Sequence, residues 1–245
     1  MTEPTDGERL SKIIARQHNC SRSQAEQYIE NGHVSVEGRI VTEPGFRVPN
    51  AAIETVTLAP DASLLPVPPV TFVLHLGADF KPGAPHPISE PSRWPQDPCP
   101  TRWHLRHHKD LQTFAPLERG MGGLIVLTQD WRVARKLSED EAYLEHEFNV
   151  EVPSPVAPAA LEHLNQRLDL RRWGLSLLKV SVGSSNEQST RLRVALKGYQ
   201  LGVVAALCQE VRLRPKSIKR LRLGRVALAG LPVGQWRYLQ DHERF

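Results

Sequence analysis

The pattern of apolar and polar residues near the N-terminus predicts two short helices. Residues 9–14, Arg-Leu-Ser-Lys-Ile-Ile, form the first, and residues 19–25 lead into the second. Ser21 and Gln24 have the spacing of a capping box, which begins a helix by satisfying its first backbone N–H groups. Gly32 is placed to end that helix. Both helices carry basic side chains, and we expect these to share one face.

The residues that follow have the alternation of a β-hairpin. Val34 and Val36 alternate with polar residues, the pair Glu37-Gly38 turns the chain, and Ile40 with Val41 returns it. Two helices followed by a hairpin therefore form the predicted N-terminal module.

The larger part of the chain alternates strands and helices without a repeated β-α-β period, which favours an α+β fold. Apolar runs predict strands over 70–74, 124–128, 147–152, 175–182, 192–196 and 225–228, and helices over 130–137, 158–168 and 202–211. We therefore expect a domain at 1–60, a linker at 61–69 and a second domain at 70–245. The proline-rich stretch 81–100 is predicted to be a long loop, either functional or disordered.

The charge of the chain is unevenly distributed. The formal net charge is +4, but residues 212–225 contain seven Lys and Arg and no acidic residue. Taken alone, such a run is as consistent with a solvated face as with RNA binding. Two basic surfaces on one chain favour an extended polyanion.

The cysteine content and the lack of long apolar stretches indicate the cellular compartment of the protein. The three cysteines lack metal-ligand spacing, which favours a reduced, cytoplasmic interior. No apolar stretch approaches the roughly 20 residues that span a bilayer, and the polar start is unlike a signal peptide. We expect a cytoplasmic monomer that has no membrane partner and no cofactor.

The N-terminal pattern resembles the S4 RNA-binding domain of ribosomal proteins and RNA-modifying enzymes. The resemblance implies that RNA phosphates are contacted by Arg9, Lys12, Ser21, Arg22 and Arg39.

Nearly the whole chain resembles the bacterial ribosomal-RNA pseudouridine synthases with an N-terminal S4 domain, in particular the large-subunit, dual-specificity type. The match lies in the order of the segments, in Lys219-Arg220-Leu221-Arg222, and in the closing stretch 228–237. This family implies an α+β fold, with a small S4 domain before a pseudouridine-synthase-like domain on a mixed, mainly antiparallel sheet. It implies RNA as the partner and the isomerisation of a flipped uridine as the reaction.

The family's catalytic motif, G-R-L-D-x-x-T-x-G-L, aligns with residues 115–124. Glu118 stands at the position of the aspartate that acts on the ribose, Pro116 at that of its arginine, and Met121 at that of the threonine. Phe148 occupies the position of the tyrosine that packs on the base. Glu118 extends the carboxylate by one methylene, and a misplacement near 1 Å can cost about 10²-fold in rate.

The second family motif, G-x-N-R-Q-I-R-R-M, aligns with residues 199–207, where its arginines are replaced by an apolar helix. The catalytic carboxylate position thereby loses its cationic partner. The basic run after this helix is expected to rim the same cleft, with RNA contacts at Lys216, Lys219, Arg220 and Arg222.

Several histidine and tryptophan residues can be interpreted either as functional or as structural. His104, His107 and His108 suggest either a metal site or a basic solvated loop, and the lack of neighbouring Cys or carboxylate ligands favours the loop, so we expect no metal. Trp94 and Trp103 either stack on bases or anchor the proline-rich loop. Trp236 is expected to serve packing, and Cys208 to be a small buried hydrophobe.

We therefore predict an RNA-binding protein of the pseudouridine synthase family whose catalytic centre is impaired or inactive. The alternative is a working pseudouridine synthase that uses Glu118. A metal-dependent hydrolase built on the histidine cluster is the third hypothesis.

Overall fold

A computed structural model of the chain describes residues 7–81, 83–84, 86 and 88–245. The described residues form two compact units, one within 7–69 together with 102–109, the other within 70–101 together with 110–245. Residues 102–109, which the sequence places in the second domain, pack with the first unit in the structure. Lys109 Nζ donates to the Thr42 carbonyl over 3.1 Å, and Arg106 pairs with Glu30 over 3.1 Å.

The first unit contains the two predicted helices and the predicted hairpin. Its elements are β1 (Glu8–Arg9), α1 (Leu10–Gln17), α2 (Arg22–Glu30), β2 (Val34–Val36), β3 (Arg39–Ile40), β4 (Arg47–Val48) and β5 (Thr57–Leu58). The capping box of α2 is confirmed, since Ser21 Oγ accepts from Gln24 N and Gln24 Oε1 accepts from Ser21 N. Gly32 ends the helix with a φ of 76°, a left-handed conformation that suits glycine.

A small apolar core holds the first unit together. It includes Leu10, Ile13 and Ile14 of α1 with Ala25 and Ile29 of α2, all of them fully buried. The middle of the predicted linker is bound to α2, because Gln27 Nε2 donates to the Leu64 carbonyl over 2.6 Å.

The second unit is built on a nine-stranded sheet. Its elements are β6 (Thr71–Leu76), β7 (Gln112–Phe114), β8 (Met121–Thr128), α3 (Trp131–Glu139), β9 (Glu145–Pro153), α4 (Pro158–Glu162), β10 (Leu177–Ser185), β11 (Ser189–Lys197), α5 (Val203–Glu210), β12 (Ser217–Leu223), β13 (Val226–Ala227) and β14 (Trp236–Tyr238). The strand order is β10-β11-β9-β12-β8-β6-β14, with β13 on β12 and β7 on β8. β12 and β8 are parallel, and the other recorded pairs of the described strands are antiparallel. The predicted α+β class with a mixed, mainly antiparallel sheet is confirmed.

The predicted strands and helices of this unit are present, with shifted ends. The helix expected over 158–168 is α4 followed by a wider π-helical turn, His163–Arg167. Trp236 packs as expected, because it is fully buried and meets the Phe72 ring edge-on at 4.7 Å. Cys208 is a buried residue of α5, and burial raises the pKa of its thiol to about 11.

The main correction concerns the basic run, part of which is a central strand. Residues 217–223 form β12, which lies between β9 and β8. Its register shifts between Arg220 and Arg222, so the strand contains a bulge that interrupts strict alternation. Because it is central, some of its side chains must face the interior, and a uniformly solvated face is excluded.

Candidate functional site

The segment aligned with the catalytic motif forms the loop before β8 and the start of that strand. Leu117 is buried, Glu118 is half-buried and Arg119 is exposed. Gly123 has a φ of 121°, and a Cβ there would lie 2.3 Å from the Arg220 carbonyl oxygen. This glycine therefore permits the close approach of β8 and β12 that positions the loop.

The Glu118 carboxylate is bound at the beginning of α5. Its Oε1 accepts from the backbone N–H of Gly202 over 2.5 Å and from the Tyr199 hydroxyl over 3.2 Å. Gly202 is the N-cap residue of α5, where a carboxylate is favoured by the unpaired N–H groups and the helix dipole. Glu118 therefore satisfies a helix terminus.

Phe148 is fully buried beneath other rings. The Tyr199 ring lies 5.3 Å from it at an interplanar angle of 31°, and His146 lies 6.1 Å from it, nearly parallel. His146 and Tyr199 also stack on each other at 4.7 Å. The ring at the base-stacking position is thus already covered by protein side chains.

Arg220 completes this cluster from β12, and it corrects a sequence prediction. Its side chain is fully buried, whereas an RNA contact was expected there. Nε donates to the Leu124 carbonyl over 2.9 Å, and Nη2 donates to the Ala115 carbonyl. The guanidinium also lies 5.7 Å from the centre of the Tyr199 ring. Its donors therefore hold the catalytic-motif loop to β8.

The electrostatics of the cluster follow from burial beside a cation. Burial and, to a smaller extent, the cation of Arg220 lower the pKa of His146 to about 3. Burial also lowers the pKa of Arg220 to about 10. Burial raises the pKa of Tyr199 far above its usual value, Arg220 opposes this, and Glu118 adds to it. At neutral pH the cluster contains a neutral imidazole, a protonated phenol and a cationic guanidinium.

Two cavities flank the motif loop. One, of about 390 Å³, is lined by Pro116, Tyr199, Gln200 and Leu201 among others, and the other, of about 450 Å³, by Pro116, Leu117 and Ile125 among others. Space for a small ligand therefore remains beside the loop, outside the ring stack.

Two of the other residues of the basic run lie together, and one lies apart. Lys216 Nζ donates to the Gln188 carbonyl over 3.0 Å. Arg222 pairs with Glu145 and, over 3.0 Å, with Glu147. Lys219 and Arg222 both line a third cavity. The structure does not bring the four predicted contacts together on one rim.

The predicted RNA contacts of the first unit are exposed, namely Arg9, Lys12, Ser21, Arg22 and Arg39. Lys12 lies 3.3 Å from Glu8, and Arg22 lies 3.1 Å from Glu26. The Ser21 hydroxyl oxygen accepts the capping bond from Gln24 N. These surface pairs are weak and leave the cations accessible to a polyanion.

The histidine segment packs rather than assembling a metal site. His107 is buried, and burial lowers its pKa to about 4, with a smaller contribution from His104. Within the described residues, no group of three or more His, Cys, Asp or Glu side chains is arranged to hold a metal ion. Trp94 is anchored by a bond from its backbone N–H to the Trp236 carbonyl over 2.8 Å.

Sequence reasoning missed the role of Tyr199, Gly202 and His146 in this site. Tyr199 and Gly202 belong to the segment aligned with the second family motif, so the alignment pointed to the right place. Their contacts depend on tertiary structure and leave no local pattern.

The chain is similar to known proteins in its N-terminal part and over nearly its whole length. The chain matches the S4 domain family model over residues 8–50. It is 24% identical over 246 residues to the dual-specificity RNA pseudouridine synthase RluF of Escherichia coli K12, an alignment that covers 98% of this chain and 78% of that protein. The ribosomal large subunit pseudouridine synthase B of Bacillus subtilis is 24% identical over 239 residues, with 96% and 93% covered.

A crystal structure of a pseudouridylate synthase aligns with 95% of this chain and 96% of its own, at a TM-score of 0.49 and 16% identity. The protein carries an S4 domain at its N-terminus. Over nearly its whole length it is similar to bacterial RNA pseudouridine synthases. In the described residues, no helix has the length and apolar character needed to cross a membrane.

Proposed function

We propose that this protein is an RNA-binding member of the pseudouridine synthase family with an impaired or inactive catalytic centre. The observation that carries the proposal is the position of Tyr199. Its ring covers Phe148, and its hydroxyl bonds Glu118, so one side chain blocks the base-stacking position and engages the carboxylate position.

The charge around Glu118 supports the same conclusion. The resemblance places an arginine beside the catalytic carboxylate, but in the described contacts Glu118 accepts from a backbone N–H and a phenol. The buried Arg220 directs Nε and Nη2 to backbone carbonyls. Neutral donors stabilise a carboxylate less than a guanidinium does.

RNA binding is proposed for the exposed cations of the first unit. Each of these cations is a single charge on a short element, namely Arg9, Lys12, Arg22 and Arg39. Such side chains are suited to contacting phosphates without reading the RNA sequence. Ser21 would add to this surface through its O–H, because the capping box uses the hydroxyl oxygen as an acceptor and the backbone N–H as a donor. In this proposal, residues 1–60 form the RNA-binding domain, 61–69 a linker and 70–245 the synthase-like domain of a cytoplasmic monomer, except that residues 102–109 belong to the first unit.

One observation favours the alternative, a working synthase that uses Glu118. The carboxylate is half-buried, and the 390 Å³ cavity that Tyr199 and Pro116 line would accommodate a base if Tyr199 moved. The two functions differ in product. Purified protein is incubated with RNA from cells that lack this protein. Binding with every uridine unchanged supports the proposal, whereas a pseudouridine that forms only when the protein is added supports the alternative.

A further inference from the structure

A third cavity, of about 550 Å³, lies on the opposite face of the sheet from Phe148. In the register of β12 with β9, Arg220 is opposite Phe148 and Lys219 is opposite Asn149. Because successive strand residues point to opposite faces, Lys219 faces away from the ring cluster. The volume lies within the range of small-ligand sites.

The cavity has an excess of positive charge. Arg193 and Arg222 share the carboxylate of Glu147, at 2.7 Å and 3.0 Å, and Arg222 also pairs with Glu145. Burial would raise the pKa of Glu147, but the two guanidinium groups lower it. Lys219 has no ion-pair partner in the described part of the chain, so its ammonium group is available to an anion.

A buried histidine lines the same cavity. His75 is only 4% exposed, and its Nδ1 lies 2.5 Å from the Leu231 carbonyl oxygen. A carbonyl only accepts, so Nδ1 carries the proton and donates. Burial lowers the pKa of His75, the bond to Leu231 opposes this, and Lys219 lowers it further. The imidazole is therefore neutral, and Nε2 is an acceptor for a hydroxyl group.

We propose that this cavity binds a ribonucleotide unit, with its phosphate at Lys219 and a ribose hydroxyl at His75 Nε2. The inference rests on the proposed RNA-binding function and adds a second contact, distinct from the Glu118 loop. A sugar phosphate supplies both an anionic group for Lys219 and a sugar hydroxyl for His75 Nε2. The unit belongs to an RNA strand or to a free nucleotide, and the two sources share this chemistry.

Acylation of lysine amines, followed by peptide mass spectrometry, tests the site in the full-length protein. The probes are a short oligouridylate, its deoxyribose counterpart and uridine 5′-monophosphate. We expect oligouridylate to protect Lys219 and to leave the exposed Lys179 of β10 unprotected. Lys219→Gln should weaken oligouridylate binding several-fold and lower the salt slope by about one, while Lys179→Gln should change neither.

The outcomes separate the two proposals and the two sources. Protection by oligouridylate alone assigns the site to an RNA strand, and protection by the monophosphate assigns it to a free nucleotide as well. If Lys219 is acylated equally with and without oligouridylate and with and without the monophosphate, the site is overturned. If the deoxyribose probe protects Lys219 as well as oligouridylate does, the role of His75 is overturned. Wild-type protein that fails to bind oligouridylate contradicts the RNA-binding function, while the monophosphate still tests the cavity.

Discussion

The ring of Tyr199 covers Phe148 at a centroid distance of 5.3 Å, and the hydroxyl of the same residue donates to Glu118 over 3.2 Å. Tyr199 thereby joins the two positions that the family resemblance assigns to chemistry. In this protein both contribute to packing: Phe148 supports a ring stack, and Glu118 satisfies the N-terminus of α5. This dual contact underlies the predictions for the second unit.

Removing either end of the Tyr199–Glu118 bond should destabilise the second unit. Tyr199→Phe keeps the ring and loses the hydroxyl, at an expected cost of about 1 kcal/mol. Glu118→Ala also leaves the Gly202 N–H without its acceptor, for about 1–3 kcal/mol. Urea unfolding of both variants and of the double variant should give a coupling free energy of at least about 0.5 kcal/mol.

Arg119→Ala is the matched control, because this neighbour is exposed and its replacement should change stability by less than about 0.5 kcal/mol. Additive effects of the two substitutions would contradict the Tyr199–Glu118 bond. A Glu118→Ala protein as stable as the wild type would show that Glu118 has no structural role.

Arg220→Met should lower stability without acting on RNA directly. The substitution removes the donors that satisfy the Leu124 and Ala115 carbonyls, and we expect a loss of at least about 2 kcal/mol in the free energy of unfolding. The salt dependence of RNA binding by the folded variant should be unchanged. Lys216→Met, at an exposed lysine just before β12, is the control for the stability measurement. If Arg220→Met is as stable as the wild type and its RNA affinity depends less on salt, Arg220 contacts RNA and this prediction is wrong.

Acid should destabilise the second unit through His146. The pKa of this residue is about 3 in the folded protein, lowered from 6.5 by burial first and by Arg220 second, so the unfolded chain binds the proton more strongly. Its contribution to stability is complete above pH 6.5 and is lost as the pH falls from there towards 3, at about 1.4 kcal/mol per pH unit.

His146→Phe should flatten the fall of stability between pH 6 and pH 4, measured by urea unfolding at each pH. His242→Asn, at an exposed histidine of the same unit, should keep the wild-type slope. Equal slopes in all three proteins would mean that His146 is not buried as a neutral group.

Much of the fold follows from local patterns, and the exception has a physical cause. The capping box of α2 and the apolar run of β8 are short-range signals, and both elements form where the sequence predicts them. β12 was missed because three cations occupy it and because a bulge at Leu221 breaks its alternation. A buried guanidinium is tolerated there only because backbone carbonyls from β8 and the motif loop accept from it.

The candidate site was predictable in position but not in arrangement. The family alignment places Glu118 and Phe148 and shows that the arginines of the second motif are replaced. Two contacts depend on how α5 packs on the sheet: Tyr199 fills the space over Phe148, and Gly202 donates to Glu118. No local sequence pattern encodes that packing.

The first unit, which contains the S4 domain, should provide a measurable share of the RNA affinity. Replacing Arg9, Lys12 and Arg22 with alanine should weaken binding and flatten the plot of log affinity against log salt, by close to one unit for each phosphate that is no longer neutralised. The triple substitution Arg132→Ala, Arg135→Ala and Lys136→Ala, on α3 of the second unit, is the control. An unchanged slope in the first variant would mean that these side chains do not bind RNA.

The most direct test of the impaired centre is a map of pseudouridine in total RNA from cells that lack the protein, incubated with wild-type protein, with Glu118→Gln, or with an active homologous synthase as the positive control. Chemical labelling followed by reverse-transcription stops reads every uridine. We expect the wild-type map to match the Glu118→Gln map and untreated RNA, while the positive control gains its own sites. A uridine converted by the wild type and left unchanged by Glu118→Gln would contradict the account.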